Sequence, residues 1–257
     1  MIKSLKKNFY DCFAKDFDLK RKKPWRAFKE FYESIIDNLD VSGIVLDAGC
    51  GNGRNMSIIG SKQNDFRIIG LDNSIELLKI IKNQRDELIR NRNSRLKTRE
   101  IEIILSDLIF LPFRKEVFDH IFAIASIHHL YNKKIRSDFM LKLPNLMIEN
   151  GSFILSVWRK WQKRFRKYFI KDWLKRIFSA KYRKSQYGKG LQEFGDIIIP
   201  WKKSNNKGSY TRYYHLFSEK EVKKLTKHFK IRKFSILGGP TNNDNFFIWL
   251  QKEKSEK

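Results

Sequence analysis

The sequence predicts an α/β fold: a doubly wound, seven-stranded, mostly parallel sheet with N-terminal helices and a basic helical insertion. Three observations carry that expectation. From Ile44 onward, short apolar runs alternate with helical stretches of about 10 to 15 residues, the pattern of a parallel sheet covered on both faces. A glycine-rich turn, "DAGCGNG", follows the first of those runs. The 257 residues are 41% hydrophobic and 14% aromatic, too apolar for a disordered basic tail and sufficient for one sizeable core.

Residues 1–40 carry apolar positions at helical spacing, Phe9, Phe13 and Phe17, then Phe28, Phe31 and Ile35, with a break at "KKPW". Two helices that cap the sheet or its cleft are expected there. The strands read in order as "IVLDAG", "RIIGLD", "IEIILSD", "FDHIFAIAS" and "GSFILSVW". After Trp158 comes an insertion, residues 159–194, that does not belong to the sheet. "FSEKEVKKLTKHF" is a late helix with Ser218 as its N-cap and Glu221 three residues on, a capping box. "RKFSILGG" and "NFFIWLQKE" close the sheet.

A net charge of +26 and a pI near 10.0 point to polyanionic partners, nucleic acid or an anionic membrane surface. With only Cys12 and Cys50, neither a disulfide framework nor a paired-cysteine metal site is expected, and a cytoplasmic setting fits. The N-terminus lacks the apolar run of a signal peptide. No segment approaches the roughly 18 apolar residues of a membrane span. Between Trp158 and Gly190 there are 13 Lys/Arg against one acid, Asp172. Trp161, Phe165, Tyr168, Phe169 and Trp173 fall three to five apart where they are not adjacent, so one helix with an aromatic face and a cationic remainder is expected. Its expected partner is tRNA, with an anionic membrane as the alternative.

Asp47 ends a strand and is followed by Gly49, Gly51 and Gly53, a turn whose backbone N–H groups face a ligand with no side chain in the way. The spacing departs from the dinucleotide fingerprint G-x-G-x-x-G. Asp72, in "GLDNS" at the end of the second strand, is placed to accept ribose hydroxyls. These residues, with "SDLIFLPFRKEVFDHIFAIASIHHL", resemble the class I S-adenosylmethionine-dependent methyltransferases. The resemblance implies S-adenosyl-L-methionine as cofactor and a Rossmann-like methyltransferase domain over residues 41–257. It implies cofactor contacts from Asp47, Gly49, Gly51, Asn52, Asp72, Asn73, Asp107, Leu108 and Ala125, with Asp107 beside the adenine.

The acceptor atom is narrowed by what is missing. "AIASIHHL" stands where exocyclic-amine methylation uses an Asn/Asp-Pro-Pro-aromatic turn, and no cysteine follows the fourth strand to attack pyrimidine C5. Five further islands, "FYDCFAKDFDLKRKKPWRAFKEF", "SIHHL", "DIIIPW", "TRYYHLF" and "DNFFIWLQK", resemble the family that methylates the carboxymethyl group on C5 of the wobble uridine of tRNA, 5-carboxymethyluridine-34. That resemblance implies a methyl ester as product. It implies Arg21, His128, Asp196, Arg212 and His215 as catalytic clamps, and Trp25, Trp201 and Tyr214 as substrate contacts. It also implies a small zinc-ribbon activator subunit, with "EIEIILSD" and the helix before it as candidate edge material. Two other readings stay open: a methyltransferase of the same fold acting on a small or lipid substrate, and an RNA-binding protein that no longer catalyses.

Overall fold

The computed structural model describes residues 9–39, 43–59, 66–90, 101–202, 204 and 209–253. The first eight residues of the expected cap, and the end of the tail "QKEKSEK", lie outside the described residues.

The cap is helical. A 3-10 turn at Phe9–Cys12 leads into α1 (Ala14–Lys20), the chain breaks at the KKPW segment, and α2 spans Arg26–Glu33. In α2, Phe28, Phe31 and Tyr32 recur at helical spacing and are buried, each burial contributing about 1.5–3 kcal/mol. Then follow β1 (Gly43–Ala48), α3 (Met56–Ile59), β2 (Phe66–Asp72), α4 (Ile75–Arg90), β3 (Ile101–Leu105), β4 (Phe118–Ile124), α5 (Lys133–Leu146) and β5 (Met147–Trp158). The second half comprises α6 (Arg166–Phe178), α7 (Ala180–Gly188), β6 (Asp196–Lys202), β7 (Ser209–His215), α8 (Glu219–Leu225), β8 (Phe229–Leu237) and β9 (Asn245–Lys252).

Seven of these strands form one sheet in the order β3-β2-β1-β4-β5-β9-β8. The first five run parallel, and β9 lies antiparallel to both of its neighbours. Successive residues of each strand point to opposite faces of the sheet. Leu46, Ile121, Phe153 and Ile248 pack with Phe139, Leu143 and Val222 on one side. Val45, Phe122, Ile154 and Phe247 pack with Phe28, Phe31, Leu78 and Ile81 on the other. The capping box at Ser218 and Glu221 opens α8 as its sequence requires.

Two features depart from expectation. The segments carrying "DIIIPW" and "TRYYHLF" pair as an antiparallel ladder, β6 with β7, outside the main sheet. The basic insertion forms two helices, because Ser179 leaves helical geometry and caps α7 by accepting from the Tyr182 N–H. Trp161 and Phe165 precede α6, so the aromatic face expected of a single helix does not form. Phe169 alone of that set is fully buried, in a small cluster with Ile197, Tyr214 and Leu216.

Candidate active site

In an open parallel sheet a ligand crevice lies beyond the carboxyl ends of the strands where their order reverses. That point is between β1 and β4. There the protein holds a cleft of about 1330 Å³, bounded by the glycine turn, the ends of β2 and β4, the N-terminal cap and the β6–β7 ladder.

Its floor follows from register. Ala48 of β1 lies beside Leu71 of β2, and Asp72 lies beside Leu105 of β3, so the turn after β1 and the carboxylates of Asp72 and Asp107 emerge at one level. Gly49 (φ +82°) lacks room for a side chain, since a Cβ would sit 2.5 Å from the Cβ of Ser126. Gly51 (φ +59°) faces open space, where its nearest neighbour would be Phe17 at 3.9 Å. Asp72 accepts the Gly51 N–H at 2.8 Å and the Ser74 N–H at 2.9 Å, fastening the turn to β2. Burial raises its pKa despite those donors. Asn73 donates to Asp107 at 3.3 Å, and Leu108 and Ala125 (φ +55°) also line the cleft. Asp47 lies beneath the turn, outside the lining, and burial followed by the Asp72 charge pushes its pKa up to about 7. Asn52 lines the cleft but commits its amide to Asp18 and to the Arg21 carbonyl, at 2.7 and 3.2 Å.

The opposite wall is aromatic and cationic. His128 is buried against His129, Trp158 and Tyr214 with ring centroids 4.6 to 5.6 Å apart, and its Nδ1 has no partner. Burial, then the His129 and Arg212 charges, hold its pKa well below the ordinary histidine value. His129 Nδ1 meets the Tyr213 carbonyl at 3.1 Å, so that nitrogen carries the proton and Nε2 accepts from the Tyr10 hydroxyl at 3.0 Å. Burial pushes His129 down to about 4, with the Tyr213 carbonyl opposing and the Arg212 charge assisting. The Arg212 guanidinium lies over Trp201 and Tyr214, 4.7 and 5.1 Å from their centroids, and its Nε is buried without a partner. Arg164 stacks on Trp158 at 4.7 Å, and Arg21, exposed at the end of α1, completes the cationic rim.

Not every expected residue reaches the cleft. Asp196 and His215 face each other across the β6–β7 ladder and turn inward. Asp196 accepts from His215 Nδ1 at 2.8 Å, the Tyr213 hydroxyl at 2.7 Å and the Glu193 N–H at 2.7 Å. Neither lines the cleft, and their bonds fix the ladder that carries Arg212. Trp201 is likewise absent from the lining. Its indole N–H is committed to Asp16 at 2.6 Å and its ring stacks with Phe13 and Phe17. Tyr214 does reach the cleft, stacked on Trp158 at 4.6 Å, and Trp25 lines its edge while packing on Phe247. Tyr10, His129 and Arg164 also line the cleft, each within a segment the sequence marks but with no local pattern that distinguishes it from its neighbours.

The donor side fits an adenosyl group. A side-chain-free turn opens at Gly51, two carboxylates stand at the ends of β2 and β3, and the buried Ser126 hydroxyl has no partner. Residues 45–143 match the profile of the family described as "Methyltransferase domain". Residues 45–143 are thus a methyltransferase domain, and S-adenosyl-L-methionine is its cofactor. More narrowly, the chain is 26% identical over 246 residues, covering 95% of this chain and 94% of the other, to the tRNA (carboxymethyluridine(34)-5-O)-methyltransferase of Schizosaccharomyces pombe. In fold it is similar to an S-adenosylmethionine-dependent methyltransferase of Methanosarcina mazei (TM-score 0.64, 21% identity, 85% of this chain and 96% of that one). It is similar also to 1,6-didemethyltoxoflavin-N1-methyltransferase of Burkholderia thailandensis (TM-score 0.59, 15% identity, 96% and 86%), which was solved with S-adenosylhomocysteine bound.

Proposed function

We propose that this enzyme methylates the carboxymethyl group on C5 of the wobble uridine of tRNA, giving the methyl ester. The observation that carries the reading is the acceptor wall: Arg21, Arg164 and Arg212 converge on the cleft, and the Arg212 Nε is buried without a partner. Such a wall suits an anion. The similarity to the Schizosaccharomyces pombe enzyme over nearly the whole chain supports the choice of acceptor.

The cofactor, when bound, supplies a methyl group made electrophilic by its sulfonium. A carboxylate with a pKa near 4 is already an anion at neutral pH, so it would accept that methyl with no general base to remove a proton. The protein therefore contributes position. Arg212 and Arg164 orient the carboxylate, with guanidinium planes fixed by stacking on Trp201, Tyr214 and Trp158. His128 and His129, both held neutral, shape the wall without competing for the negative charge. Tyr10 and Phe17 of the cap shield the cleft from water.

The same reading includes a zinc-ribbon activator subunit and work in the cytoplasm. The β3 edge, with Leu105 and Phe110 exposed beside it, supports a partner there, and no helix among the described residues is long and apolar enough to cross a membrane. The test is transfer of labelled methyl to tRNA carrying 5-carboxymethyluridine, with and without the activator. Label released by mild alkali is expected. Alkali-stable label, or none with well-folded protein and activator, removes the proposal.

A further inference from the structure

The basic insertion has a surface that neither the cleft nor the sheet uses. In α6, Asp172 and Phe169 face inward, Asp172 accepting from Arg176 at 2.8 Å and from the Tyr182 hydroxyl at 3.0 Å. That ion pair and the Phe169 cluster fix which way the helix faces. Ile170, Trp173, Leu174, Ile177 and Phe178 consequently form a stripe at i, i+3, i+4, i+7 and i+8 that points away from the protein. They are 45%, 50%, 42%, 49% and 81% exposed, on the most cationic stretch of the chain. Lys167, Lys171 and Lys175 run along one flank at i, i+4 spacing, all exposed.

We infer that this face of α6 docks on an anionic lipid surface. The argument is complementarity on both counts. Aliphatic Ile170, Leu174 and Ile177 offer a nucleic acid no flat ring to stack on, whereas a bilayer interface takes aliphatic, Trp and Phe side chains together. The flanking lysines lie where headgroup phosphates and carboxylates of acidic lipids would meet them, and the only acid of α6 is buried and paired. The helix of 13 residues is about 20 Å long and lies flat rather than spanning.

The experiment uses the full chain and vesicles of phosphatidylcholine with phosphatidylserine (3:1) against phosphatidylcholine alone, with tRNA affinity measured in parallel. Sedimentation should show partition onto the acidic vesicles about tenfold or more above the neutral ones. Tryptophan emission should shift to the blue in the chain but not in Trp173→Phe. The pair Leu174→Asp and Ile177→Asp, both at exposed positions, should abolish the partition with unchanged circular dichroism and unchanged tRNA affinity. Lys167→Gln with Lys171→Gln should remove the preference for acidic lipid. Any of three results overturns the inference: equal or absent binding to both vesicle types, binding that survives the aspartate pair, or loss of tRNA affinity in that pair without vesicle binding.

Discussion

Arg212 is the residue on which the acceptor side turns. Its guanidinium is held between Trp201 and Tyr214 while its Nε stays buried and unmatched, an arrangement that costs free energy unless an anion arrives. Arg212→Ala is therefore expected to lower kcat/KM for carboxylate-bearing tRNA by about 100-fold, with donor affinity by calorimetry unchanged, and Arg212→Lys to restore only part of it. The histidines give a prediction in pH. His129 in the folded chain sits at about 4, below the unfolded value of about 6.5, so between these the unfolded chain binds more protons and stability falls as pH drops. Asp47, pushed up to about 7, acts in the opposite sense, losing stability as pH rises through the same window. The histidine contribution is thus read by difference: urea midpoints at pH 7.5 and 5.5 should show a smaller acid loss in His129→Gln than in the parent. At this scale the sequence revealed which residue types gather, not which way they point. His215 shares an island with Arg212, and Asp196 opens the island that pairs with it, but strand alternation and direct pairing across the ladder send both inward.

Among elements, α1 and the glycine turn depend on each other. Asn52 bonds Asp18 and the Arg21 carbonyl, so the helix that bears Arg21 is anchored on the turn that meets the donor. Asp18→Ala should weaken donor binding by about 1 kcal/mol, roughly fivefold in Kd by calorimetry, with the sheet intact by circular dichroism. The start of the late helix was legible to the residue because a capping box is a local device whose pattern and geometry coincide, whereas its end falls at Leu225, short of the stretch read as helical. Ser218→Ala should cost about 1 kcal/mol in a denaturant titration. The β6–β7 ladder was not legible. Three isoleucines followed by Pro200 and Trp201 give no alternation, and the ladder draws its stability from Phe169 of the insertion and from Phe13 and Phe17 of the cap. The break at Ser179 was hidden likewise, since aromatic spacing runs on through a residue whose cap is visible only as a bond.

For the whole molecule, the parallel order of the sheet and the place of its crevice followed from strands alternating with helices, because burial on both faces leaves near-continuous apolar runs. The net charge of +26 has a measurable consequence. Affinity for tRNA should fall log-linearly with salt, by well over tenfold between 50 and 200 mM on the scale of about six phosphate contacts, while donor affinity stays nearly flat. Filter binding and calorimetry across that range separate the two.

The segment Phe9–Lys20 has a wider effect than its length suggests. Through Asp11 it grips Ser74 and Glu76, through Asp18 it grips Asn52, and through Tyr10 and Asp16 it holds His129 and Trp201. One short stretch is thus shared by the floor of the crevice and its far wall. A disturbance of that stretch is therefore expected to reach the donor side and the acceptor side together, while the sheet beneath stays in place.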